Sequence, residues 1–513
     1  MLNDLQNLPD DTTELKGLVG SLANEVKSQA LVIEKLKHQL AGARQQRFGA
    51  SSESLDQLQL KLEEEEVAQA AGLSPAEDTD TSNNVETKGK PKRKPLPDNL
   101  PRKDHLLSVG DECNDCGSKL KTVGDDITEE LEYVPGRFVV NRFIRPRMAC
   151  SCCEVFTQAE LPSRPIERGR PGPGLLAHVL VSKYADHLPL YRQSQIFGRD
   201  GIDLSRSTLA GWIGKSATLL EPLANKLKEH VFAGQAIFAD DTPVNMLSPK
   251  AGKTKTARLW TYVRDERPWN GEAPPAVWYQ FSVDRKGIRP KEHLSSYSGW
   301  MHADGYAGFE DIYNSGRIEE VACMAHVRRK FVDLHKSQGS SIAEEAIKRI
   351  ATLYAIEKEA RGSPPDDRVA IRHAKAKPIF DDLEIWLGEQ LPKLSGKSPL
   401  AGAIRYALKR MKRMRVYLEY GFLELDNNTA ERSIRPIALG RKNYLFMGSE
   451  RGGKAAAIIY SLIETAKLND IDPQAWLTDV LSRIADQKVT ELDELMPWNA
   501  SNNHLQPNNL NIQ

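Results

Sequence analysis

The chain has 513 residues, more than a single hydrophobic core normally organises, so several domains are expected. Its 40% hydrophobic and 27% charged residues, with no run of about 18 apolar residues and no basic-then-apolar start, leave a membrane span and a secretion signal unsupported. Basic and acidic residues number 70 each, which excludes a uniformly basic nucleic-acid coat and leaves local patches open.

Residues 1–57 are expected to form a coiled-coil dimerisation helix. Leu15, Leu22, Gln29 and Leu36 fill one heptad column and Val19, Val26, Ile33 and Leu40 the other. β-branched residues in one column and leucine in the other favour a parallel pair, in which a buried Gln29 fixes the register. An amphipathic helix folded against its own chain is the competing reading. Residues 58–95, with "EEEE" at 63–66 and a basic end at 88–94, are too poor in apolar surface to order and read as a flexible charged linker.

Residues 96–165 hold five of the six cysteines. Cys113/Cys116 and Cys150/Cys153 form two Cys-x-x-Cys knuckles separated by β-rich sequence, the pattern of a zinc ribbon in which a structural Zn²⁺ substitutes for a core. Without an export signal, thiolate ligation in a reducing cytoplasm is the expectation, and a redox pair is the alternative. Cys152 is surplus. Residues 166–230 read as consecutive helices, with Ser205 or Ser207 capping the segment that holds Trp212. A helix-turn-helix and a plain helical bundle fit this region equally.

From residue 231 the runs "QAIFADDTPVNML", "ARLWTYVRD" and "AVWYQFSVD" read as strands, "GWMHADGY" as a fourth, and residues 340–420 as helices. Asp240 ends the first run and Asp304 the fourth. Carboxylates at the ends of adjacent strands converge, and a third from a helix completes a set of hard oxygen ligands for Mg²⁺ or Mn²⁺; two such ions would serve phosphodiester chemistry. Glu431 is the candidate third acid, set among Arg432, Arg435, Arg441 and Lys442, whose charges suit DNA phosphates. The competing reading makes Asn428 and Glu431 a capping box. Pro436 is expected to kink or stop that helix at Arg435. On "RYALKRMKRMR", Arg405, Lys409, Lys412 and Arg413 share a helical face that suits a DNA backbone.

Taken together, "ADDTPV" (239–244), "ADGYAGF" (303–309), "CMAHVRRKF" (323–331) and "LDNNTAERSIRPIALGRKNYLFMGS" (425–449) resemble the DDE transposase of the insertion-sequence-66 family of bacterial mobile elements. "RFGASSE", "PLPDNLPR", "KYADHLPLYRQ" and "ELMPWN" extend the resemblance over nearly the whole chain. It implies a multidomain α+β protein: coiled coil, zinc ribbon, helical DNA-binding region, and a ribonuclease-H-like α/β catalytic core over 231–450 with a helical insertion at about 340–420. A C-terminal helical region and tail follow over 451–513. It also implies that Asp240, rather than Asp241, is the first member of an acidic triad with Asp304 and Glu431, with His326 nearby and Cys323 structural. Arg329 and Lys330 join the basic residues expected on phosphate.

The function so implied is strand cleavage and transfer at the terminal inverted repeats of an element and at target DNA, in a bacterial cytoplasm in association with the nucleoid. Accessory proteins of the same element are implied partners. The alternative is a non-catalytic zinc-ribbon DNA-binding regulator derived from a transposase. Cys113→Ser is expected to lower bound zinc and weaken specific end binding; an unchanged zinc stoichiometry would overturn the ribbon assignment.

Overall fold

The computed structural model describes residues 171–248, 253–443 and 446–500, with short pieces at 138, 148–149, 156–157 and 163–166. The heptad columns, the linker, and Cys113, Cys116, Cys150 and Cys153 lie outside the described residues. The chain divides into two compact units, one of residues 74–159 and a larger one containing residues 160–513. In the smaller unit Met148–Ala149 pairs antiparallel with Phe156–Thr157.

The larger unit opens with helices α1 (Pro173–Tyr184), α2 (Leu190–Arg199) and α3 (Arg206–Phe232). Ser205 caps α3, its hydroxyl accepting the amide of Thr208 at 3.1 Å, as the sequence suggested. Leu209, Ile213, Leu220, Leu223, Leu227 and Val231 repeat at helical spacing and form its buried face.

The three apolar runs occupy β1 (Ala236–Ser248), β2 (Lys253–Arg264) and β3 (Ala276–Ser282). A short helix α4 (Ile288–His293) leads to β4 (Gly299–Ala303), and α5 (Glu310–Tyr313) to β5 (Ile318–Ala322). The sheet order is β3-β2-β1-β4-β5. Neighbours β1, β2 and β3 run antiparallel, while β4 and β5 run parallel to β1 and to each other. Hairpin-length connections suit the first set; the parallel strands are reached through helix-bearing crossovers.

After β5 the chain builds a helical body from α6 (Met324–Gln338), α7 (Ser341–Ala360), α8 (Pro365–Ile371), α9 (Lys377–Gln390) and α10 (Pro399–Arg415). Phe331, Ile350, Leu353, Phe380, Leu387, Ile404, Ala407 and Met411 form its apolar centre, which is continuous with Val321 and Ala322 of β5. Charges are buried beside it. Arg372, with no exposed surface, gives Glu357 two hydrogen bonds of 2.8 and 2.7 Å and donates to the carbonyls of Tyr417 and Leu423. Arg368, equally buried, bridges Glu357 and Glu424. Arginine's planar fork suits such a site, and pairing makes burial of full charge tolerable.

The chain returns to the sheet as α11 (Asn428–Asn443), followed by α12 (Glu450–Leu468) and α13 (Pro473–Arg483). Helix α11 continues past Pro436 to Asn443, so of the expected kink or stop the stop does not occur. The proline deprives the Arg432 carbonyl of its helical donor, but Ile434, Ile437 and Ala438 bury one face against β1 and β2, and that packing outweighs the local preference. Helix α12 covers the sheet edge. Ser461 and Thr465, one turn apart, accept the amides of Tyr279 and Val277 at 2.8 and 3.1 Å, so β3 presents no open donors there. No helix among the described residues is long and apolar enough to cross a membrane.

Arg372→Met is expected to destabilise the larger unit by about 3–5 kcal/mol, because Glu357 is left buried without its two-point partner. Urea unfolding followed by tryptophan fluorescence measures this; a loss below about 1 kcal/mol would show that the network contributes little.

Candidate active site

Strand pairing brings the first two candidate acids together. β1 and β4 pair in parallel with Ala236 opposite Trp300, Ile237 opposite Met301 and Phe238 opposite His302. Carried two residues further, that register sets Asp240 opposite Asp304, where the strands part about 5 Å from each other. Because both strands keep the same parity, the two side chains leave the same face of the sheet. Asp304 then turns the chain: one of its oxygens accepts the Tyr306 amide at 3.0 Å.

Glu431 is delivered by a clasp of buried polar groups immediately ahead of α11. Asn427, fully buried, donates its side-chain amide to the carbonyl of Ala239 at 2.9 Å, next to Asp240, and its backbone amide to the Cys323 sulfur at 3.2 Å. His302 accepts the Glu424 amide on Nε2 at 3.0 Å, which leaves Nδ1 to donate to the Ile237 carbonyl at 3.4 Å. Met324 donates to the Leu425 carbonyl at 3.1 Å. The first turn of α11 is thereby held to the ends of β1, β4 and β5. Glu431, one turn in, directs its carboxylate at His326 Nε2 (3.8 Å) and Arg329 (3.5 Å).

These acids act on each other. Asp240 is held well above the usual carboxylate range, first by loss of water around it and then by the charges of Asp304 and Glu431. Its carboxylate receives the amide of Asp241 at 2.7 Å. His326 is pushed down to about 4, by burial and then by Arg329, so near neutrality it is an uncharged imidazole. The Cys323 thiol is pushed up by burial, which with its sulfur accepting a hydrogen bond makes it a structural residue.

Asp241, the other member of the doublet, has a different environment. Its oxygens lie 2.7 Å from Arg285 and 3.0 Å from Arg258, and Arg285 also reaches within 3.7 Å of Asp304. The Arg285 guanidinium lies over the Tyr306 ring at 4.2 Å. Arg285, Asp304, Tyr306, His326, Arg329 and Lys330 line one cleft of about 480 Å³. Arg285 is absent from the sequence-based candidates, and Asp241 is set aside there in favour of Asp240. A charged residue just beyond the third strand was the available signal for Arg285; Asp240, expected at the end of its strand, instead lies inside β1, which continues to Ser248 because its pairing with β2 runs on past the acid.

The basic residues of α11 are not equivalent. At 100° per residue, Arg435 and Lys442 share the side of Glu431, whereas Arg432 and Arg441 lie well off it. Arg441 donates to the Pro243 carbonyl and so ties α11 to β1; Arg432 donates to the Thr429 hydroxyl at 2.9 Å. Lys330 lies in the cleft with its ammonium 4.5 Å from the Tyr406 ring centre.

In donor type, three mutually repelling carboxylates fit a hard divalent cation. As they stand they do not form a coordination shell: among the described residues, no group of three or more His, Cys, Asp or Glu side chains is close enough to hold an ion. Arg285 and Arg329 supply the nearby positive charge instead.

Comparison with known proteins places this geometry in context. Residues 168–455 match the family described as Transposase IS66 family, and residues 461–498 the IS66 C-terminal element. Residues 111–154 match the zinc-finger binding domain of transposase IS66, and residues 35–104 the segment described as Transposase C of IS166 homeodomain. The uncharacterized protein y4hP of Sinorhizobium fredii is 42% identical over 493 residues, covering 91% of this chain and 88% of its own length. The uncharacterized protein y4qI of the same organism is 36% identical over 539 aligned positions, covering 97% of this chain and 99% of its own.

The raised Asp240 predicts a pH effect. With its folded value above its ordinary 3.8, Asp240 favours the fold fully only below that ordinary value, and this contribution is lost as pH rises through the folded value. In chelator at about pH 7.5, Asp240→Asn is therefore expected to melt higher than the native chain, and Mg²⁺ or Mn²⁺ to raise the midpoint of the native chain only. Equal midpoints, with equal responses to metal, would rule out the charge cluster.

Proposed function

Because the chain belongs to the IS66 transposase family, we propose that it binds the ends of its element and carries out metal-dependent strand cleavage and strand transfer, as a Mg²⁺-dependent DDE enzyme with a ribonuclease-H-like core. The observation that carries this reading is the convergence of Asp240, Asp304 and Glu431 from two strands and a helix, close enough for each charge to raise the proton affinity of Asp240. The mixed five-stranded sheet, with its first acid on the central strand, also supports it.

Asp240, Asp304 and Glu431 would hold two divalent ions, which activate a water or 3′-hydroxyl and stabilise the leaving oxygen. The remaining work belongs to the chain itself. Arg285 and Arg329, now turned to Asp304 and Glu431, are within reach of a phosphodiester entering the cleft, and a guanidinium fork suits phosphate. Neutral His326 can hydrogen-bond substrate without adding charge beside the acids. Lys330, Arg435 and Lys442 extend the cationic surround. Arg432 and Arg441 reach phosphate only by giving up their present partners.

The zinc finger would bind element ends, with Zn²⁺ held by Cys113, Cys116, Cys150 and Cys153. The heptad segment would pair two copies, further proteins of the element would assist, and the work would take place on the bacterial nucleoid. The second reading is a non-catalytic zinc-finger DNA-binding regulator derived from a transposase, in which Arg285 and Arg329 serve only to neutralise Asp304 and Glu431.

Nicking of DNA that carries the terminal repeats decides between the two readings. Asp240→Asn, Asp304→Asn and Glu431→Gln are each expected to abolish Mg²⁺-dependent cleavage while DNA binding persists. Wild-type nicking in any of them would remove that residue from the site, and no nicking by the native chain would favour the regulator.

A further inference from the structure

The six basic residues of α10 fall into two sets. Arg410 pairs with Glu320 at 2.9 Å, Arg413 with Glu320 and with Glu310 at 3.6 Å, and Arg415 with Asp381 and with Glu384 at 2.5 Å. These three point back into the protein. Arg405, Lys409 and Lys412 are exposed, and among the described residues none has an acid within ion-pairing distance; Arg405 donates only to the Gly396 carbonyl, at 2.7 Å.

Placed at 100° per residue, Arg405, Lys409 and Lys412 lie within about 60° of one another and span about 10 Å along the axis. Arg410 and Arg413 flank this stripe on one side and Arg415 on the other, so every basic position beside it is neutralised and the stripe is not. Like charges three and four residues apart repel, and among the described residues no acid pairs with them. Tyr406 joins the stripe to the cleft: it lies one position from Arg405 on α10, lines the cleft, and has Lys330 over its ring.

We propose that Arg405, Lys409 and Lys412 form a track for the phosphate backbone of duplex DNA, running along α10 into the cleft that holds Asp304. This rests on the transposase reading and adds to it where on the helical body the duplex lies. A row of lysine and arginine ends without acceptors in fixed directions reads charge spacing and not base edges, so the contact is independent of sequence. Each phosphate neutralised releases condensed counterions and adds about 0.9 to the slope of log K against log salt.

The test uses the full chain in chelator, with a labelled duplex of arbitrary sequence and one carrying the terminal repeats, titrated across a salt series. Arg405→Ala/Lys409→Ala/Lys412→Ala is expected to weaken both complexes equally and lower the slope by about 2 to 3. Lys348→Ala, which removes a lysine already paired with Glu344 at 2.8 Å on α7, is expected to change neither. If the triple variant melts lower than the native chain, Lys409→Gln/Lys412→Gln retains the aliphatic stems and should lower the slope by about 2. An unchanged slope in a folded variant overturns the track, as does a loss confined to the terminal-repeat duplex. Failure of the native chain to bind duplex at all would instead remove the reading on which the track rests.

Discussion

The candidate site depends on one buried asparagine. Asn427 joins the carbonyl beside Asp240 to the thiol at the start of α6, so a first strand, a helix and the chain returning from the helical body meet at one point. Buried polar groups specify geometry because leaving any one unmade carries the full cost of desolvation. His302 adds a second fixed point by accepting from Glu424 and turning its other nitrogen to Ile237. With α11 anchored at its first residue, the position of Glu431 follows from helical geometry.

The same segment connects the acids to the helical body. Glu424, beside the clasp, is held below its usual range by Arg368 and Arg361 although burial pushes it up. Arg368 continues to Glu357, and Glu357 to Arg372. Helices α7 and α8, remote from the cleft, are therefore linked by buried charge to the residues that aim Glu431. The helical body acts as a brace for Glu431 as well as a surface of its own.

Charge around the cleft is arranged in layers. Asp304, just past β4, and Glu431 on α11 raise the proton affinity of Asp240 on β1, and arginines from outside those elements face Asp304 and Glu431. Asp241 belongs to the second layer, where Arg258 and Arg285 engage it, and the adjacent Asp240 belongs to the first. Consecutive residues on a strand point to opposite faces, so the two acids of the doublet have separate environments.

The acid that follows β4, the knuckle spacing of the zinc-finger segment and the cap at Ser205 were legible in the sequence because each is a local pattern, set by a period of two or 3.6 or by a fixed ligand interval. Those patterns determined where strands and helices alternate, and that Asp304 follows β4, but not that β1 would run on past Asp240 to Ser248. Tertiary structure alone decided that α11 would pass through Pro436, that Arg441 would anchor to β1, and that Arg285 would face Asp304. In each case the deciding partner lies tens to hundreds of residues away, and only the packed sheet brings it within hydrogen-bonding distance.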